Sequence, residues 1–302
     1  MKKLFLTLTV LMFYLPVCHA GDLNAIRQDE VVIFFDDGLE NAAVSAARIY
    51  PDIKEGLEKL VGWKVDFCPA VYLVKNHEQF KRMAGHDLVV GFAVPRRMQI
   101  VIDYSRMLTK PFSVYSIMKH ELCHLLLHKN IKYTNLPKWL DEGVSQWVSD
   151  GLADILIADY SRIDRAIVTG RPIPFRYLSD SFPVDNENLM LAYAQSKSLV
   201  EYIAREHDPE GIRRLLNSLS SGNTIDSAVY EVFQVSFDDL ENNWYSAMRK
   251  KSTWLTLLIN HMYEIIFFLG ALSLIIAYVK TIIRKRAQMY DVNDDDDRMN
   301  NP

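Results

Sequence analysis

His120-Glu121-Leu122-Cys123-His124 is the pattern H-E-x-x-H, and it lies in a run, Ser113 to His128, whose spacing predicts one long helix after Pro111. Two imidazoles four residues apart stand on one helical face, about 6 Å apart along the axis, so both can reach a single Zn²⁺. Glu121 is turned by about 100° from His120, which sets its carboxylate beside the ion, free to take a proton from water there. Three fixed positions recur by chance in roughly one chain in thirty of this length, so the pattern needs support from elsewhere. That support is Trp139-Leu140-Asp141-Glu142-Gly143, in a second predicted helix bracketed by Pro137 and Gly151. The loop Lys129 to Leu136 is long enough to reverse the chain, and Gly143 permits close helix approach. With the two helices antiparallel, Glu142 supplies a third ligand. Two His and one Glu leave a fourth position open, which marks a catalytic and not a structural zinc site. Zinc held this way acidifies water and polarises a carbonyl.

Two neighbours of the motif fall outside the ligand set. His128 continues the stripe but stands another 6 Å or so along the axis from His124, too far for the same ion, and reads as a solvated or supporting histidine. Cys123 points off the metal face and reads as a small buried apolar group. With Cys68 it could form one disulfide in an oxidising compartment, or both could be buried free thiols.

Upstream of the motif the chain alternates short β-like runs with helical spacing. Val31 to Phe35 and Val65 to Val74 read as strands, Asn41 to Leu60 and Glu78 to Met83 as helices, and Leu88 to Asp103 as two strands broken at Pro95-Arg96-Arg97. Downstream, after a loop between 170 and 187, Leu189 to Glu206, Gly211 to Leu219 and Phe237 to Lys250 all have helical spacing. Strands first and helices after is an α+β plan, with a β-rich N-terminal part and a helical C-terminal part.

His120-Glu121-x-x-His124 followed by Pro137-x-Trp139-Leu140-x-Glu142-Gly143 resembles the zincin metalloproteases of the gluzincin type, and more closely the bacterial peptidase MA-like domains. The resemblance covers roughly residues 65–248 and includes Ala192-Tyr193-Ala194-Gln195-Ser196 with the helices after it. It implies a zincin-like fold, His120, His124 and Glu142 as zinc ligands, and Glu121 as general base. Asp141 has a shorter reach than Glu142, and the Trp-Leu-x-Glu-Gly context fits Glu142 as the ligand. In enzymes of this kind an edge strand before the metal helix, here within Gly91 to Ile102, holds the substrate backbone extended. A Tyr or His from a later helix often meets the oxyanion; Tyr193 is the first candidate, with a core aromatic as the alternative.

The ends of the chain assign a compartment. Lys2 and Lys3, the apolar run Leu4 to Leu15, Pro16, and small residues Cys18 and Ala20 before Gly21 make residues 1–20 a signal peptide. The alternatives are an uncleaved anchor, and a lipoprotein modified at Cys18, against which the bulk of Val17 argues. Residues 255–279 read as one transmembrane helix rather than a buried hairpin helix. Ile265 to Val279 alone would span about 22 Å of a hydrocarbon core of about 30 Å, so Leu257 to Tyr263 are needed too. Trp254 and Tyr278 stand at the two interfaces, and Lys280, Arg284, Lys285 and Arg286 follow directly. Arg249, Lys250 and Lys251 lie on the other flank, but a signal peptide commits the preceding domain to export before they emerge. His261 and Glu264 read as a turn at headgroup depth, with an intramembrane proton site as the alternative. Gly270, Ser273 and Ala277 form a small-residue stripe, and Asp291 with Asp294 to Asp297 a solvated, disordered end.

The expected organisation is therefore a signal peptide 1–20, a periplasmic domain 21–250, a membrane helix 255–279 and a cytoplasmic tail 280–302, single-pass in the inner membrane of a bacterium. The full chain carries −4, but residues 21–248 hold about −8. An acidic domain lacks the clustered cations that phosphate binding needs, which excludes nucleic acid. Lys119, Lys129, Lys132 and Lys138 around the motif exclude an intramembrane protease. The expected function is a membrane-anchored zinc peptidase acting on a peptide or protein outside the cytoplasm; the alternative is a non-catalytic module that uses the same scaffold to bind one.

Overall fold

Five short strands form one sheet in the order β1-β2-β3-β5-β4, in a computed structural model that describes residues 24–28, 30–85, 89–107, 112–149, 160–260 and 262–299. The signal segment 1–20 and Gly151 lie outside the described residues. β1 (Asn24–Gln28) pairs antiparallel with β2 (Val31–Phe35); β3 (Ala70–Val74) runs parallel to both β2 and β5 (Gln99–Asp103). β4 (Gly91–Val94) closes the sheet as an antiparallel edge strand on β5, with Gly91 opposite Ile102 and Val94 opposite Gln99. The two expected strands of Leu88 to Asp103 are thus present, and Pro95–Arg97 between them is one turn of 3₁₀ helix.

Each element follows from its side-chain period. In β2, Val31, Ile33 and Phe35 are buried and the residues between them are half-buried, as a half-covered strand requires. The β2-to-β3 crossover is α1 (Glu40–Val61), which buries Ala43, Ala46, Ala47, Tyr50, Ile53, Leu57 and Val61 along one stripe. It ends at Gly62, whose φ of 84° suits only glycine without strain. α2 (His77–Ala84) follows β3 and is capped by the Asn76 side chain. β1 was not expected. Its side chains are mostly exposed, so Asn24–Gln28 has no apolar alternation to announce it.

α3 (Val114–Asn130) starts at Ser113, which accepts a hydrogen bond from the Ser116 amide at 3.1 Å. Every residue from Ile117 to Leu127 is buried, so this helix presents no solvent face over three turns. Lys119, His120, Glu121 and His124 are carried into the interior with it. The chain reverses through 131–137 and α4 (Lys138–Val148) lies against α3. α6 (Asn186–Ser220) covers α4 and consists of two helical segments meeting at His207–Asp208, where Asp208 takes φ 57° before Pro209. That break falls between the two helices expected from the spacing. α7 (Ile225–Phe233) packs on α6. Trp139 of α4 is fully buried, its ring 5.4 Å from Phe175 and 5.7 Å from Phe237. This Trp fixes the start of α4 in the core.

Together these elements make one unit, residues up to Asp159 with Ile173–Phe237; a second comprises Tyr160–Pro172 and the residues from Asp238 on. In the second, α5 (Tyr160–Val168) receives a 3.2 Å hydrogen bond at the Ile167 carbonyl from the Tyr245 hydroxyl of α8 (Phe237–Asn260). α9 (Met262–Met299) follows. Met262–Ile282 is the one stretch among the described residues long and apolar enough to cross a membrane, and nearly all its side chains are exposed. The tail from Lys280, expected to be disordered, continues α9 as helix to Met299; no Pro or Gly interrupts it.

Candidate metal centre

Three side chains from two helices converge on one point. His120 Nε2 and His124 Nε2, one turn apart on α3, are 3.2 Å from each other. Glu142 Oε2, from α4, is 3.7 Å from the first and 3.6 Å from the second. All three residues are buried. A tetrahedral ion with bonds of about 2.0–2.1 Å sets its ligand atoms about 3.4 Å apart, close to the 3.2, 3.7 and 3.6 Å between these three. The donor set therefore fits a metal ion in type, spacing and burial. The expected trio is brought together as read from the sequence, and Asp141 is not part of it.

Asp141 instead holds the imidazoles. Its Oδ1 is 2.6 Å from His124 Nδ1 and its Oδ2 is 3.1 Å from His128 Nε2. A carboxylate on the far nitrogen fixes the tautomer and ring orientation of a metal-binding histidine, and Ser145 Oγ, 3.3 Å from the same Nδ1, adds to the restraint. His128, outside the ligand triangle as expected, supports it through Asp141. Cys123 is buried and free, its thiol pushed up by burial to about 12, so it stays protonated. Cys68 is exposed and also free, so the pair is neither a disulfide nor two buried thiols.

Glu121 lies on the same wall. Burial pushes its carboxyl up to about 7, against the pull of His124 and Lys138 and with the help of Glu142 and Asp141. A proton acceptor with a pKa near neutrality is matched to acid-base work. His120 is driven down to about 4 by burial and by His124, and is a neutral imidazole. Burial also acts to lower His124, but Asp141 and Glu142 outweigh it and lift the group to about 9. Glu142 and Asp141 are raised by burial, yet end low: Lys138 and His124 hold Glu142 down, and His124 above all holds Asp141.

Lys138 is a side chain at this site that sequence reading did not single out. Its Nζ is 2.7 Å from Glu142 Oε1 and 3.7 Å from Asp141 Oδ2. Only the i,i+4 spacing to Glu142 could have pointed to it.

These residues line a cavity of about 1040 Å³. One wall is β4 and the turn after it, Gly91 to Arg96; the other includes Pro183, Leu189, Met190 and Tyr193. Gly91 brings the edge strand onto the acid: a Cβ there would stand 3.3 Å from Glu121 Oε1 and 2.6 Å from Ile117 Cγ2. Tyr193 packs its ring against Phe182 at 5.1 Å, and Glu142 and then burial push its phenol above its ordinary range, so the hydroxyl is a neutral donor. Gly143 lets α4 and α6 touch. A Cβ on it would meet Ser196 O at 2.5 Å and Val200 Cγ2 at 2.8 Å. Gly143→Ala is therefore expected to cost about 1–3 kcal/mol in urea unfolding. No loss would mean that the two helices part freely.

Residues 106–250 match the family model of the Peptidase MA superfamily. The matched residues contain both motif helices, α3 and α4, and the α6 to α7 cover. The α+β architecture, sheet before helices, is that of a zincin-like domain. Among solved structures, the chain is similar to yeast LTA4 hydrolase in complex with bestatin, at 13% identity and a TM-score of 0.47, over 71% of this chain and 37% of that one. It is similar to native yeast LTA4 hydrolase at 12% identity and a TM-score of 0.43, over 76% and 37%. The chain thus spans little more than a third of the length of those enzymes. No curated protein matches it in sequence.

Proposed function

We propose that the chain is a membrane-anchored zinc peptidase. The observation that carries this reading is the Nε2, Nε2, Oε2 triangle of His120, His124 and Glu142 in one cavity with Glu121, beside β4, the last strand of the sheet. Zinc bound by those three residues supplies Lewis acidity that activates water and polarises a carbonyl. The chain's own groups do the rest. β4, at the edge of the sheet, takes an extended peptide by strand addition and presents a backbone carbonyl to the site. Glu121 takes the proton of the attacking water and returns it to the leaving amine. Tyr193 donates its hydroxyl to the oxygen on which charge develops. Burial of His120, His124, Glu121 and Glu142 strengthens their electrostatic contacts.

In this reading residues 1–20 direct export, 21–250 form the periplasmic catalytic domain, 255–279 anchor it in the inner membrane, and 280–302 stay in the cytoplasm. The apolar exposed span Met262–Ile282 supports the anchor, and the cations that follow Tyr278 support the orientation.

Full-length protein purified in detergent is expected to hold one zinc per chain and to cleave members of a broad peptide library. Chelation should stop cleavage and zinc should restore it. Zinc-replete protein that binds peptides and cleaves none would leave a peptide-binding module in place of an enzyme.

A further inference from the structure

We infer that Lys138 is a positioning residue that makes Glu142 a one-oxygen ligand. The inference rests on the zinc reading above and concerns how this chain's own side chains divide the Glu142 carboxylate. Oε2 faces the two imidazoles, 3.7 and 3.6 Å from their Nε2 atoms, whereas Oε1 is 2.7 Å from the Lys138 ammonium. One oxygen is committed to the histidines and the other to a cation.

The placement of Lys138 runs against local helix energetics. It is the first residue of α4, where the helix dipole disfavours a cation, and Lys preceding Glu at i,i+4 is the less favourable order of that pair. A residue that breaks local rules at a site is held there by what it contacts. Lys138 is fixed at both ends: its backbone amide donates to the Ser179 carbonyl at 2.7 Å, and its ammonium bridges Glu142 and, at 3.7 Å, Asp141. Glu121, Asp141 and Glu142 bring three buried carboxyl groups to one cavity, and Lys138 is the cation placed against two of them.

The consequence is a coordination number. With Oε1 held, Glu142 occupies one position on the ion and leaves room for water and substrate; with Oε1 released, the carboxylate is free to close onto the ion with both oxygens.

X-ray absorption on the full-length zinc protein in detergent tests this. The native chain is expected to show four light ligands. Lys138→Met should show five, and Lys138→Arg, which keeps a donor for Oε1, should return to four. A thermal melt monitors folding. Lys138→Gln, whose shorter side chain falls short of the Oε1 position, gives the same reading should the Met variant not fold. Four ligands in a folded Met or Gln variant overturns the inference. Glu142→Ala separates the two levels: if it keeps its zinc, the ligand set and this inference fail together. If it loses zinc while Lys138→Met is unchanged from native, only the role of Lys138 fails.

Discussion

Replacing Glu121 with Gln is expected to leave zinc content unchanged and to lower kcat/KM for peptide hydrolysis by about 10²–10⁴-fold, the usual range for losing a positioned acid-base group. The substitution keeps shape and volume, so packing beneath Gly91, where Glu121 Oε1 lies, is preserved. Zinc should be retained because Glu121 is not one of the three residues whose donor atoms close the triangle. What disappears is the ability to hold a proton. A carboxyl can gain and lose a proton, and burial raises the affinity of this one for it. An amide can do neither. Zinc analysis beside kinetics on one cleavable peptide gives the result. Undiminished hydrolysis would remove Glu121 from the mechanism, and loss of zinc would make it a ligand.

The shared face of the two histidines was legible in the sequence because helical geometry is local. His120 and His124 at i,i+4 must share a face, and the same rule placed His128 beyond the ion. Glu142 was legible through its context, with Trp139 buried in the core one turn before it and Gly143 at the α6 contact. The long-range pairings were not. Nothing in Asp141 says that it reaches back to His124 and His128, since that depends on how α4 meets α3. Lys138 was hidden for a similar reason: the i,i+4 spacing identifies a neighbour of Glu142 but not which oxygen it takes. β1 escaped because an exposed, polar edge strand carries no apolar alternation. The edge position of β4 depended on sheet order, which strand composition does not encode.

Glu142→Ala should abolish stable zinc binding, and activity with it. Replacing an outer partner of a metal ligand costs roughly 10–100-fold in affinity, and removing a ligand itself costs more. The two imidazoles that remain are 3.2 Å apart and provide only two donors, with Asp141 engaged at 2.6 Å on the far side of His124 and turned away from the ion. Loss of zinc must be told apart from loss of fold, and linkage does this. A ligand that binds only the folded state stabilises it by RT ln(1 + [L]/Kd), about 4 kcal/mol at a thousandfold excess over Kd. The native chain should therefore melt at a higher temperature with zinc than after chelation. In the variant that difference should vanish, while the chelated forms of both chains still melt cooperatively. The metal-free variant has one buried carboxylate fewer beside Asp141 and Glu121, which offsets part of the packing lost with the side chain. Lys138 is half-buried and still has Asp141 within 3.7 Å as a partner. A variant that keeps one zinc per chain, with the native zinc-dependent rise in melting temperature, would show that Glu142 is not a ligand.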